Sequence, residues 1–144
     1  MFKIGKSPAQ LARLTSHSRI DQQHKISFTF DGKPYTGYAG DTLASALLAN
    51  GVHLVGRSFK YHRPRGILSA GSEEPNALIR LGKGAYAEPN LRATQIEIFD
   101  GLYAESQNRA PSLSFDIGAI NSVLARFFPA GFYYKTFMWP ATMW

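Results

Sequence analysis

Apolar and polar positions alternate with a period of two at Ile26, Phe28 and Phe30, with Ser27 and Thr29 between them. That alternation predicts a half-buried strand. Asp31-Gly32 follows. A type I′ turn needs positive φ at both central positions, which this pair tolerates, so the chain is expected to double back as a hairpin. The return strand spans Pro34 to Tyr38, and Gly37 and Gly40 loosen its end. From Asp41 the period becomes helical: Leu43, Ala46, Leu47 and Asn50 share one face, and Ala44 and Leu48 widen the stripe. The Asp41 carboxylate is expected to cap this helix at the positive end of its dipole. Gly51 is expected to end it in a left-handed conformation. A helix laid across a hairpin opens an α+β fold.

Beyond the helix, Val52 to Val55 forms a short apolar bridge and Gly66 to Asn76 a loop bent by Gly71 and Pro75. Ala77 to Leu81 reads as a strand and Gly82 to Asn90 as a turn-rich link. Thr94, Ile96 and Ile98 alternate within Arg92 to Phe99, which predicts another strand. Asp100-Gly101 then reads as a second hairpin turn, with Leu102 to Glu105 returning. After a loop through Pro111, residues Ile117, Ile120, Val123, Leu124, Phe127 and Phe128 predict a second helix from near Asp116, ended by Pro129 and Gly131. The tail GFYYKTFMWPATMW holds more aromatics than a free surface tolerates, so it is expected to dock on something. Its apolar end at Trp144 suggests the front of a longer polypeptide. The expected organisation is an extended basic arm (1–24), a folded domain (25–108) and a helix with an aromatic docking segment (109–144).

Composition narrows the classes. A chain of 144 residues suits one domain with added tails, and 44% apolar residues rule out bulk disorder. The absence of cysteine excludes disulfides, thiolate metal sites and any Cys-ligated iron–sulfur cluster. No apolar run approaches the roughly 20 residues of a membrane-spanning helix, so no membrane partner is expected. Met1 to Ile20 carries Lys3, Lys6, Arg13 and Arg19 and no acid, but lacks the apolar core of a secretory signal; it reads as a frayed basic terminus. The formal charge of +6 permits an anionic partner, or serves solubility alone.

The densest chemistry is the basic run Arg57, Lys60, His62, Arg63 and Arg65, interleaved with Phe59 and Tyr61. It could track a nucleic-acid backbone, hold one phosphate of a cofactor, meet acidic groups of a partner, or be a solvated loop with two anchoring aromatics. No nucleic-acid-binding fold signature accompanies it, so no nucleic-acid partner is expected. Gly82-Lys83-Gly84-Ala85-Tyr86-Ala87 fits a dinucleotide-binding pattern, but Pro89 opposes the long helix that such a site needs. His17, His24, His53 and His62 lie in no ligand spacing, and the adjacent Glu73 and Glu74 make no acid/base pair. No catalytic residue is assigned.

The hairpin, the Ala39-Gly40-Asp41-Thr42-Leu43 helix start and the Arg63-Pro64-Arg65-Gly66 bend before a Gly-bearing loop carry a resemblance. They resemble a plant-type [2Fe–2S] ferredoxin-like β-grasp domain of the kind found at the front of amine-oxidising flavoprotein subunits. In cluster-binding members a Cys-x4-Cys-x2-Cys run follows the Arg-Gly, and a distant fourth Cys completes the set. That spacing puts Ser69, Glu74 and Ala77 at the first three positions, and Thr94 falls at the fourth. The resemblance thus implies a cradle kept without its metal.

Three longer strings are similar to the N-terminal part of the alpha subunit of heterotetrameric sarcosine oxidases: SFTFDGKPYTGYAGDTLASALLANGVHLVGRSFKYHRPRGILSAGSEEPNAL, LRATQIEIFDGLYAESQN and FPAGFYYKTFMWP. That family implies an α+β, β-grasp fold of ferredoxin-like [2Fe–2S] type with the cluster lost, followed by a helix and an aromatic tail that lead into a missing NAD-binding domain. It implies a bacterial cytoplasmic enzyme that demethylates sarcosine to glycine with hydrogen peroxide and, with tetrahydrofolate, forms 5,10-methylenetetrahydrofolate. The partners implied are the beta, gamma and delta subunits and the rest of the alpha subunit. FAD, FMN, NAD and zinc belong to the full complex, and no cofactor is expected on this stretch alone. Arg57, Lys60, Arg63 and Arg65 are then expected to face a flavin phosphate or a neighbouring subunit, and the chain to be structural rather than catalytic. The alternative is a freestanding cluster-less module that docks on a redox partner or a nucleic acid.

Overall fold

A computed structural model of the chain describes residues 10, 12–14 and 20–126. Strand β1 (Asp21–Phe30) and strand β2 (Lys33–Ala39) form the expected hairpin, with Phe28 opposite Tyr35 and Phe30 opposite Lys33. Asp31 and Gly32 turn between them at φ 50° and 74°, both positive as a type I′ turn demands. Phe28 and Phe30 face the core while Ser27 stays exposed. The strand starts at Asp21, ahead of Ile26, because residues 21–25 are exposed throughout and leave no apolar alternation to read.

Helix α1 (Leu43–Ala49) crosses the sheet and buries Leu43, Ala44, Ala46, Leu47 and Ala49. Its cap is Thr42, not Asp41 as the sequence suggested: the Thr42 hydroxyl accepts the Ser45 N–H at 3.2 Å. Asp41 turns inward instead and is fully buried. Its carboxylate accepts from the Tyr38 N–H (2.9 Å), the Ser45 hydroxyl (2.7 Å) and the Arg13 guanidinium (2.5 Å). A buried charge needs such partners, which outweigh the modest gain of capping. Arg13, together with a bond from the Gln10 amide to the Thr36 carbonyl, fastens part of the N-terminal arm to the hairpin. Gly51 ends α1 at φ 75°, and the buried Asn50 amide donates to Thr36 O (2.8 Å) and Ala46 O (2.7 Å).

After α1 come β3 (Gly56–Arg57) and β4 (Pro64–Arg65), a two-stranded ribbon around the basic loop. Strands β5 (Leu78–Leu81), β6 (Glu88–Arg92) and β7 (Leu102–Ser106) complete a five-stranded sheet in the order β2-β1-β7-β5-β6. Within this sheet of the described residues the β1–β7 pair is parallel and the other pairs are antiparallel. A helix packed on a mixed sheet whose first and last strands lie side by side at the centre is the β-grasp arrangement that the resemblance implied. The core joins Phe28, Phe30, Leu43, Leu47, Val55, Ile79, Ile98 and Leu102.

Three further expectations are corrected. Arg92 to Phe99 is not a strand: β6 begins at Glu88, inside the stretch that reads as a link, and ends at Arg92, and residues 93–99 wrap the start of α1. Leu43 N–H donates to Ile96 O (2.7 Å) and Ala44 N–H to Ala93 O (2.9 Å). The free amides of the helix's first turn thereby take the carbonyls that a ladder would have used. Asp100-Gly101 is accordingly no hairpin turn; Gly101 alone has positive φ, and β7 pairs with β1 and β5. The second helix is broken into a 3-10 turn (Ile117–Ala119), a short α2 (Ile120–Val123) and another 3-10 turn (Leu124–Arg126). Ile117, Ile120 and Val123 are 59% to 79% exposed, so this face lacks the packing that usually stabilises a helix. Phe127, Phe128, its expected stops and the aromatic tail lie outside the described residues.

Candidate functional site

Chain residues 66–77 leave β4 at a tight bend and return into β5. At the middle of this loop the Glu74 side chain is fully buried. One carboxylate oxygen accepts the N–H groups of Leu68 (2.7 Å) and Ser69 (2.5 Å). The other accepts those of Asn76 (2.7 Å) and Ala77 (3.1 Å). Burial pushes the Glu74 carboxyl up, but the four amides together outweigh it and hold the group below the usual carboxylate range.

Three of the four positions of the cysteine pattern, Ser69, Glu74 and Ala77, meet at this carboxylate. Ser69 and Ala77 donate to it directly. Thr94 joins through Gly71, whose carbonyl accepts both the Thr94 hydroxyl (2.8 Å) and the Glu74 N–H (3.3 Å). Ala93 N–H donates to Ala77 O at 2.9 Å, which ties the residue before the fourth position to the third. The donor set does not fit an iron–sulfur cluster. Ser69, Ala77 and Thr94 offer no thiolate, and both Glu74 oxygens are already engaged. Among the described residues no group of three His, Asp or Glu side chains could hold a metal ion either.

The basic run divides. Arg57 turns inward, with only 9% of its side chain exposed. It donates to the carbonyls of His62 (2.7 Å) and Leu113 (2.5 Å) and lies 3.2 Å from the Asp116 carboxylate. His62 Nδ1 meets the same carboxylate at 3.0 Å. Burial raises the Asp116 carboxyl, but the His62 hydrogen bond and the charges of His62 and Arg57 bring it below its ordinary value. Arg65 reaches Asn76 Oδ1 at 2.6 Å and so braces the Glu74 loop from outside. Tyr61 lies between two cations, the Lys60 ammonium 5.1 Å and the Arg63 guanidinium 4.8 Å from its ring centre. Arg63 is exposed. The four cations therefore do not form a single outward patch. Sequence reasoning missed Asp116, which lies 54 residues from His62; no local pattern could have paired them.

The other candidates are placed as follows. Gly82 to Ala87 passes from β5 through a 3-10 turn (Gly84–Tyr86) into β6, so no helix begins at this glycine motif. His24 pairs with Asp21 on the surface, His53 is exposed, and His17 lies outside the described residues. A cavity of about 410 Å³ opens between Tyr35, Leu54, Arg109 and Leu113, beside the Arg109–Asp31 ion pair (2.6 Å). Phe115, Ile117, Ile120 and Val123, all within nine residues of one another around Asp116, are exposed apolar side chains. No helix among the described residues is long and apolar enough to cross a membrane.

Residues 23–109 match the family described as a 2Fe-2S iron-sulfur cluster binding domain. The chain is 65% identical over 132 residues to sarcosine oxidase subunit alpha of Rhizobium meliloti (strain 1021), covering 92% of this chain and 13% of that protein. It is 53% identical over 90 residues to sarcosine oxidase subunit alpha of Corynebacterium sp. (strain P-1), covering 60% of this chain and 9% of that protein. Among solved structures it is similar to L-proline dehydrogenase from P. horikoshii, with a TM-score of 0.50 and 27% identity over 70% of this chain and 18% of that one. The chain thus spans about an eighth of the first of these relatives. The relatives are an oxidase subunit and a dehydrogenase, so the setting is that of an oxidoreductase. Similarity to part of so much longer a subunit does not favour a freestanding module.

Proposed function

The chain belongs to the 2Fe-2S iron-sulfur cluster binding domain family, and from that premise we propose that it is the N-terminal structural and docking portion of a sarcosine oxidase alpha subunit. The observation that carries this is the 65% identity over 92% of the chain to a subunit of that name. On this reading the whole assembly is flavin-dependent. It demethylates sarcosine to glycine with hydrogen peroxide and passes the one-carbon unit to tetrahydrofolate. FAD, FMN, NAD and zinc reside elsewhere in a cytoplasmic complex of four kinds of subunit.

The described residues contribute shape to that assembly. The β-grasp core is a rigid platform, and the Arg57–Asp116–His62 cluster clamps the segment after β7 onto it. That segment presents Phe115, Ile117, Ile120 and Val123 to the outside. Their occupant is the remainder of the same polypeptide, which by the length of the relatives is several times larger than this chain. Lys60 and Arg63, gathered at Tyr61, meet a neighbouring domain or a flavin phosphate. Arg57 and Arg65 support that surface from within.

The test is reconstitution of the full-length subunit with its partner subunits. Peroxide formation that depends on sarcosine is expected, and deletion of residues 1–126 should prevent assembly. A complete complex that leaves sarcosine untouched would overturn the enzymatic reading. A deletion variant that assembles and turns over normally would overturn the docking role. Charge reversal in R63E should lower flavin content or subunit association; if both stay at wild-type level, the basic loop makes no such contact.

A further inference from the structure

We propose that the Glu74 carboxylate is a built-in replacement for the iron–sulfur cluster, an internal anion around which the loop 66–77 folds. A thiolate-bound cluster gives a cradle two things: covalent tethers from the loop and an anionic centre whose sulfurs accept backbone hydrogen bonds. Here the tethers are absent, since the chain has no cysteine. The anionic centre remains. Glu74 stands at one of the cysteine positions, and its two oxygens collect amides from both limbs of the loop, Leu68 and Ser69 from one and Asn76 and Ala77 from the other.

Several independent features fit an anion hub rather than an incidental buried acid. Among the described residues no Lys or Arg forms an ion pair with the Glu74 carboxylate; the four amides hold its charge, with the Ser69 hydroxyl adding a longer bond at 3.4 Å. The nearby cations act on the frame: Arg92 donates to the Glu74 carbonyl (3.1 Å) and Arg65 to the Asn76 side chain (2.6 Å). Thr94, at the position of the distant fourth ligand, substitutes a hydroxyl bond to Gly71 O for a metal bond and still closes the loop against residues 93–94. Ala77 makes the third position inert, as the hub needs its amide and not its side chain. The site is therefore filled from within and has no function as a metal or cofactor pocket. This inference rests on the geometry of the loop and on the match to the 2Fe-2S domain family, and would survive failure of the sarcosine oxidase reading.

Hydrogen exchange of the full-length protein, read by mass spectrometry with fragmentation to single amides, tests it. In the wild type the amides of Leu68, Ser69, Asn76 and Ala77 should be protected by at least about a hundredfold over unstructured peptide. The near-isosteric, neutral Glu74→Gln turns one acceptor into a donor that faces two amides. It should speed exchange across residues 66–77 by about tenfold or more while leaving the β1–β2 hairpin unchanged. Loop exchange equal to wild type in E74Q would overturn the proposal. If E74Q does not accumulate as folded protein, the wild-type amides decide: protection of all four supports the hub, and exchange near the unstructured rate overturns it.

Discussion

Asp116 shows how one side chain can decide where a whole segment lies. Its carboxylate is buried and shared by Arg57 and His62, the titratable and charged groups that face it. Removing one partner of a buried pair leaves the other charge uncompensated, at a cost of about 3 to 5 kcal/mol. Two carbonyls also hold Arg57, so the D116A loss should fall near the lower figure. Asp116 titrates below the ordinary carboxylate range, because of its His62 bond and the two neighbouring positive groups. Its contribution is thus complete at neutral pH and is lost only as pH falls through that lowered value. Urea unfolding of wild type and D116N should show a penalty that shrinks as pH drops below about 4. A penalty that is constant down to acid pH would mean that the ionised carboxylate is not what stabilises the segment.

Helix α1 is the element on which the sheet depends. Its N-terminus is served twice, by the Thr42 hydroxyl and by the carbonyls of Ala93 and Ile96. Because the carbonyls remain, T42A should cost only about 1 kcal/mol, the usual loss for a cap. Its packing matters more. Leu47 is wholly buried, and L47A should cost about 2 to 5 kcal/mol. Where α1 crosses β2 there is no spare room: a Cβ on Gly37 would overlap Ile98 and press on Ala46 at 3.1 Å. Gly37 has no positive φ, so G37A tests space and not backbone strain; overpacking should cost about 1 to 3 kcal/mol. Thermal melts of the three variants should rank T42A as mildest, and T42A as damaging as L47A would show that the cap carries the helix.

For the whole molecule the apolar face at Phe115, Ile117, Ile120 and Val123 is the feature that calls for a partner. Charged substitutions such as I120D and V123D remove no buried contact, so stability of the described domain should change by no more than about 0.5 kcal/mol. Their effect should appear in how the domain sits on the rest of its polypeptide. Limited proteolysis of the full-length protein should then cut faster near residues 109–126 than in wild type. Equal cleavage rates would mean that the remainder of the chain leaves this face open.

Local chemistry determined the local devices. Alternation at Ile26, Phe28 and Phe30, the positive-φ pair Asp31-Gly32 and the stop at Gly51 were legible because each needs only neighbouring residues. So was the missing thiolate set, a matter of residue identity and spacing. Tertiary structure decided what depends on partners remote in the chain. Ile96 and Ile98 alternate as a strand would, yet the amides of α1 claim the backbone beside them. Arg57 belongs to an outward basic run by composition and to Asp116 by geometry. Glu74 looked like half of an idle acidic pair, and only the closed loop turned its carboxylate toward four amides. A chain can state which groups it owns; folding alone settles which of them must share a buried charge.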